Sequence, residues 1–136
     1  MIHRTVNIGI IGSRSRDSEE DFCKTEFEFC KLVAEIFGKG VNDLYEEVYV
    51  VSGGANKGGD RFAQIIAKKY SFPLITYYPN LALGGNACYF FRNNIIVNKC
   101  DYMIAVIDPN SSTVGALSTL NRFKEIVKDE KFYRVI

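Results

Sequence analysis

Tryptophan is missing from this chain of 136 residues, and histidine occurs once, at His3. The four cysteines, Cys23, Cys30, Cys88 and Cys100, form no C-x-x-C pair. Tetrahedral zinc ligation therefore lacks its usual spacing, and no metal or resident cofactor is indicated. Free, mostly buried thiols are expected, because an unpaired cysteine packs as a small hydrophobe. An excess of either charge is also lacking: 17 Lys and Arg face 16 Asp and Glu, and residues 1–40, 41–80 and 81–136 carry −1, 0 and +2. Without clustered cations to displace counterions, the balance argues against nucleic acid or an anionic membrane as the main partner. A small anionic ligand needs only one local site. No apolar run approaches the roughly 20 residues that span a bilayer, and the opening MIHRTVNIGIIGSR leads from Met1 straight into a strand pattern; a cytoplasmic protein is the expectation.

What is present is enough to build a core. Apolar residues make up 47% of the chain, with 8 Tyr and 10 Phe, which suits one domain over residues 1–136. Residues 5–11 (TVNIGII) are apolar and β-branched with little alternation, as in a strand covered on both faces. Ser18 to Asp21 has the capping-box form, and a wide apolar stripe from Phe22 to Phe37 predicts a long helix ending at Gly38. Residues 46–52 give a second strand, followed by a glycine-rich turn and a helix to Tyr70. Residues 73–78 give a third strand, 79–85 an exposed loop, and 86–98 a helix. Residues 101–107 give a fourth strand, 108–113 a polar turn, 114–127 a helix, and 132–136 a fifth strand. This alternation predicts an α/β, Rossmann-like three-layer sandwich: a five-stranded, mostly parallel sheet of order 3-2-1-4-5 with helices on both faces. Ligands bind such sheets beyond the carboxyl ends of the strands, where the order switches direction.

The polar, glycine-rich stretches that follow strands all fall at that edge. The densest is Ser52-Gly53-Gly54-Ala55-Asn56-Lys57-Gly58-Gly59-Asp60. Four glycines in seven positions admit an oxyanion close to backbone N–H groups, with a helix N-terminus behind them, so phosphate is the natural guest. No Lys-Ser or Lys-Thr follows the last glycine, which excludes a Walker A loop, and the spacing is not G-x-G-x-x-G. Asp60 either caps the helix or accepts hydrogen bonds from ribose hydroxyls; Lys57 either neutralises phosphate or is a solvated cation. Gly12, Ser13 and Arg14 follow the central strand, where Arg14 either forks across an anion or pairs with Asp17 or Glu20. Arg92, beside Asn93, is either a clamp or an outward charge on its helix. Ser111, Ser112 and Thr113 supply hydroxyls and a second helix start, which Ser112 would also cap, and Asp108 ends the fourth strand within reach of the crevice. Asp101, at the opposite edge, reads as structural. Tyr77, Tyr78, Tyr89, Phe90 and Phe91 exceed what one small core hides, which either supports self-association or reflects internal packing.

Taken together, Gly12-Ser13-Arg14, Ser52-Gly53-Gly54-Ala55 with Gly58-Gly59-Asp60, Arg92-Asn93, and Asp101 with Ala105 before a Ser-Thr turn resemble the SLOG superfamily, over residues 6 to 120. The likeness is greatest to its small bacterial and phage YspA/YpsA-related branch. The resemblance implies a Rossmann-like fold that binds a nucleotide or nucleotide-derived ligand and commonly self-associates, as a homo-oligomer. The related LOG or lysine-decarboxylase-like group cleaves the N-glycosidic bond of cytokinin riboside monophosphates with an Arg, matched in position by Arg92, and a Glu in a PGG-x-GT-x-E-E loop. Here that loop is broken: Asn110-Ser111-Ser112 replace its glycines, Thr113 fits the Thr, and Gly115-Ala116 stand where the acidic pair belongs. Two readings follow: a nucleotide-sensing or -sequestering module, and alternatively a LOG-like phosphoribohydrolase with Arg92 as catalytic residue. A DNA-handling role like that of the distant DprA relatives finds no basic tract.

Overall fold

The computed structural model describes residues 5–110 and 115–136. Five strands, β1 (Val6–Gly12), β2 (Val48–Ser52), β3 (Leu74–Thr76), β4 (Tyr102–Val106) and β5 (Tyr133–Val135), pair in parallel in the order β3-β2-β1-β4-β5. Helices α1 (Glu19–Phe37), α2 (Gly59–Tyr70), α3 (Gly85–Lys99) and α4 (Ala116–Val127) connect them. The predicted sandwich and strand order are thus observed.

Two buried clusters explain the layering. Phe29, Leu32 and Val33 of α1 and Phe62, Ala63 and Ile66 of α2 pack with Ile8, Ile10, Val50 and Ile104 on one face of the sheet. Ile96 and Val97 of α3 and Leu120 and Phe123 of α4 pack with Val51, Met103 and Ala105 on the other. Neighbouring strand residues thus serve opposite faces, which is why β1, β2 and β4 read as unbroken apolar runs.

The boundaries moved where local chemistry intervened. At the start of α1 the Ser18 hydroxyl accepts from the Asp21 amide at 3.0 Å, the Asp21 carboxylate accepts from the Ser18 amide at 3.4 Å, and Gly38 ends the helix at φ 69°. Residues 79–85 are less irregular than expected: Asn80 accepts from the Ala82 amide and starts a 3-10 turn at Leu81–Leu83. A second such turn, Glu130–Phe132, started by Asp129, shortens β5. The thiols need correction: Cys88 and Cys100 are buried, Cys30 is half-buried and Cys23 is exposed, because Cys23 falls on the polar side of α1 next to Lys24.

Among the glycines, the closest approach to other backbone is at Gly59, where α2 meets β1. A Cβ added at Gly59 would come within 2.2 Å of the Ile11 carbonyl carbon and 2.4 Å of the Gly12 nitrogen. Backbone cannot yield as a flexible side chain does, so Gly59→Ala is expected to destabilise the protein by about 3 kcal/mol or more. At Gly40, where φ is −74° and the nearest atom is 3.9 Å away, alanine should change stability by no more than about 0.5 kcal/mol. Urea unfolding of the two variants checks the contrast.

Candidate functional site

A hollow of about 480 Å3 opens beyond the carboxyl ends of β1 and β2, within the usual range of small-molecule sites. Gly12, Ser13, Arg14 and Ser15 form one wall, Gly53, Ala55 and Asp60 another. Asn86, Tyr89, Arg92, Asn93 and Ile96 of α3, with Gly115, Ala116 and Thr119 at the start of α4, enclose it. The stretches after β1 and β2, helix α3 and the start of α4 therefore meet at the rim where the strand order switches.

The glycine-rich loop is organised by side chains of the protein itself. Asp60 accepts from the Ala55 amide at 3.2 Å. Ser52, fully buried, accepts from the Gly54 amide at 3.1 Å and donates to the Asp60 carbonyl at 3.1 Å. Asp17, from the loop after β1, accepts from the Gly58 amide and from Arg61 Nε, both at 2.7 Å. Three amides that composition offers to phosphate, those of Gly54, Ala55 and Gly58, are therefore already bonded to carboxylates and a hydroxyl. The glycines likewise face protein. Added Cβ atoms would meet Arg92 and Asp60 at Gly53, Tyr78 at Gly54, and the Ser13 carbonyl at Gly58. Asp60 caps this loop rather than α2, whose first residue is preceded by Gly58 without a side-chain cap. Lys57 is exposed and lies outside the hollow.

Arg92 turns inward, so the outward-charge reading is corrected. Its Nη1 donates to the Gly53 carbonyl and, at 3.3 Å, to the Tyr77 carbonyl, while Nε donates to Asn93 Oδ1 at 2.7 Å. The guanidinium lies 5.7 Å from the Tyr89 ring centroid. Arg92 therefore braces α3 against the ends of β2 and β3. Arg14 is exposed on the wall of the hollow and forms no ion pair among the described residues. The anticipated partners are engaged elsewhere, Asp17 by Arg61 and Glu20 by Lys24. Arg16, which the sequence did not single out, anchors this loop: it donates to the Ile107 and Ile136 carbonyls at 2.8 and 2.9 Å and to Asp21 at 2.8 Å.

Asp108 stands beside the hollow rather than in it. It accepts from Ser15 Oγ at 2.6 Å and the Asn110 amide at 2.9 Å, and its own amide donates to Ser13 Oγ at 3.0 Å. Asp101 accepts from the Asn7 amide at 2.9 Å on the far edge, the structural role expected. Ser111, Ser112 and Thr113 lie outside the described residues. Sequence reading missed Asn86, Tyr89 and Thr119. The Tyr89-Arg92-Asn93 spacing, three and four residues on one helix face, was the available signal. Among the described residues, no group of three or more His, Cys, Asp or Glu could hold a metal ion, and no helix is long and apolar enough to cross a membrane. Family models, curated proteins and solved structures gave no match to the chain.

Carboxylates around the hollow are tuned in opposite directions. Hydrogen bonds from the Gly58 amide and Arg61 hold Asp17 below its ordinary value, and the Ser15 hydroxyl does the same for Asp108. Burial pushes Asp60 above its ordinary value near 3.8, against the pull of the Ala55 amide, Arg92, the Gly53 amide and Arg14. A raised acid stabilises the fold fully below its unfolded value, and that contribution is lost as pH rises through its folded value. Asp60→Asn, which keeps one acceptor for the Ala55 amide, should therefore raise the unfolding midpoint of the ligand-free protein at pH 7. It should also flatten the fall in midpoint above pH 4. Calorimetry from pH 4 to 8 measures both effects.

Proposed function

We propose that the hollow binds a nucleotide or a nucleotide-derived phosphate ester, and that the protein senses or sequesters this ligand. The reading rests on one arrangement, an anion-attracting rim opposite an acceptor floor. On the rim, Arg14 lines the hollow together with Gly115, Ala116 and Thr119 at the start of α4; a cation and a helix N-terminus both favour a phosphate there. On the floor, Asp60 suits the hydroxyls of a ribose, which donate to a carboxylate, whereas a second phosphate would be repelled by Asp60 and Asp17. The phosphate therefore belongs with Arg14 and α4 rather than with the engaged amides of Gly54, Ala55 and Gly58. The side chains of Tyr89 and Ile96 offer apolar surface for a base. Gly115 and Ala116 supply no carboxylate, which favours binding without turnover.

Asp60 gives a second reading a specific footing, hydrolysis of an N-glycosidic bond. Burial makes the Asp60 carboxyl a weaker acid than usual, and such a group serves more readily as a proton donor. In that reaction the bond from the sugar carbon to the base breaks and Asp60 passes its proton to the departing nitrogen. A water oxygen bonds to the sugar carbon, and the water's proton returns to Asp60. Arg92, committed to the Gly53 and Tyr77 carbonyls, would position the floor.

Thermal unfolding against nucleoside mono-, di- and cyclic phosphates tests the primary reading. A ligand at 100 times its dissociation constant adds about 2.7 kcal/mol, a rise of several degrees for a domain of this size. Monophosphates should give the larger shifts, and Arg14→Ala should weaken their binding about tenfold, equivalent to ~1.4 kcal/mol. Chromatography of the incubated ligand separates the two readings: intact nucleotide supports sensing, whereas free base, released by wild type and not by Asp60→Asn, supports hydrolysis.

A further inference from the structure

Asn93 lines the hollow from α3 and is only 9% exposed. Its Oδ1 accepts from Arg92 Nε at 2.7 Å. A guanidinium can only donate, so this contact fixes which end of the Asn93 amide is oxygen and which is nitrogen. Nδ2, with its two N–H donors, is left without a hydrogen-bond partner among the described residues. Polar groups this deeply buried are almost always paired, so a ligand that brings an acceptor to Nδ2 gains from doing so. Tyr89, Asn93 and Ile96 follow one another at steps of four and three residues along one face of α3, and all three line the hollow. We infer that Asn93 selects the base of the nucleotide, and that the site takes a 6-oxopurine, guanine or hypoxanthine, in preference to adenine; this rests on the nucleotide reading above.

The selection follows from donors and acceptors. Arg14 draws the phosphate and Asp60 the ribose hydroxyls, which leaves Asn93 to a base laid against Tyr89 and Ile96. Guanine and hypoxanthine carry O6 and N7 side by side, two adjacent acceptors that a donor group can bridge. Adenine carries an amino group in place of O6, so donor would face donor. The usual amide pairing with adenine accepts from N6 while donating to N7. It needs a free amide oxygen, and Arg92 already occupies that of Asn93. Thr119, also on the wall, gives its hydroxyl hydrogen to the Gly115 carbonyl at 3.1 Å and therefore offers only an acceptor. A 6-oxopurine supplies a donor for it as well, at N1–H.

Titration calorimetry with GMP, IMP and AMP tests the assignment. GMP and IMP should bind at least about tenfold more tightly than AMP. Asn93→Asp keeps an acceptor for Arg92 Nε and replaces the N–H donors by an oxygen. Its added charge weakens all three monophosphates alike, so the readout is the ratio of GMP to AMP affinity, which should fall to about one or below. Circular dichroism checks that the variant folds. On the wild-type protein, 7-deaza-GMP, which has a carbon in place of N7, should bind at least about fivefold more weakly than GMP. AMP binding as tightly as GMP, a ratio unchanged by Asn93→Asp, or 7-deaza-GMP binding as well as GMP would overturn the base assignment while leaving the nucleotide reading in place. Failure of all three monophosphates to bind would overturn both.

Discussion

The close approach of α2 to β1 at Gly59 is the constraint from which the rest of the site follows. With no Cβ at that position, the first turn of α2 lies against the Ile11 and Gly12 backbone. This brings Asp60 under the loop that it caps and lets Asp17 reach the Gly58 amide from the loop after β1. The two loops are thereby locked to one another, and Arg92 closes the lock from α3 through the Gly53 and Tyr77 carbonyls. The hollow is the space that remains when these fixed pieces meet the start of α4.

This construction assigns the charges around the hollow distinct tasks. Asp17 and Asp108 are ionised partners of amides and hydroxyls, and their stabilisation persists until pH falls below the ordinary carboxylate range. Asp60 has the opposite tendency, because burial outweighs two amides and two arginines. A glycine-rich loop of this kind is usually read as a seat for a ligand's negative charge. Here the protein fills that seat with its own carboxylates, which moves the proposed phosphate towards Arg14 and leaves Asp60 facing the neutral, donor-bearing part of the ligand.

The fold was legible because the local signals agreed. Unbroken apolar runs at β1, β2 and β4 imply a sheet covered twice, and the stripes of α1, α2 and α4 supply the covers. The position of the hollow was legible from the loops that follow β1 and β2. The partners within it were not, because composition cannot tell whether an amide faces solvent or a carboxylate 41 residues away, as Gly58 faces Asp17. Arg92 shows the same limit. Its aromatic neighbours suggest a buried helix face, yet Phe91 is exposed and Arg92 turns in. That outcome depends on the backbone carbonyls at the ends of β2 and β3, which tertiary structure alone brings within reach.

The most direct test of this division of charge is a crystal structure with a bound nucleoside 5′-phosphorothioate, whose sulfur marks the phosphate by anomalous scattering. The account predicts sulfur density beside Arg14 and the first turn of α4, with Asp60 still accepting from the Ala55 amide and facing the ribose. Sulfur cradled by the amides of residues 53–59 with Asp60 displaced, or a hollow left empty at saturating ligand, would contradict it.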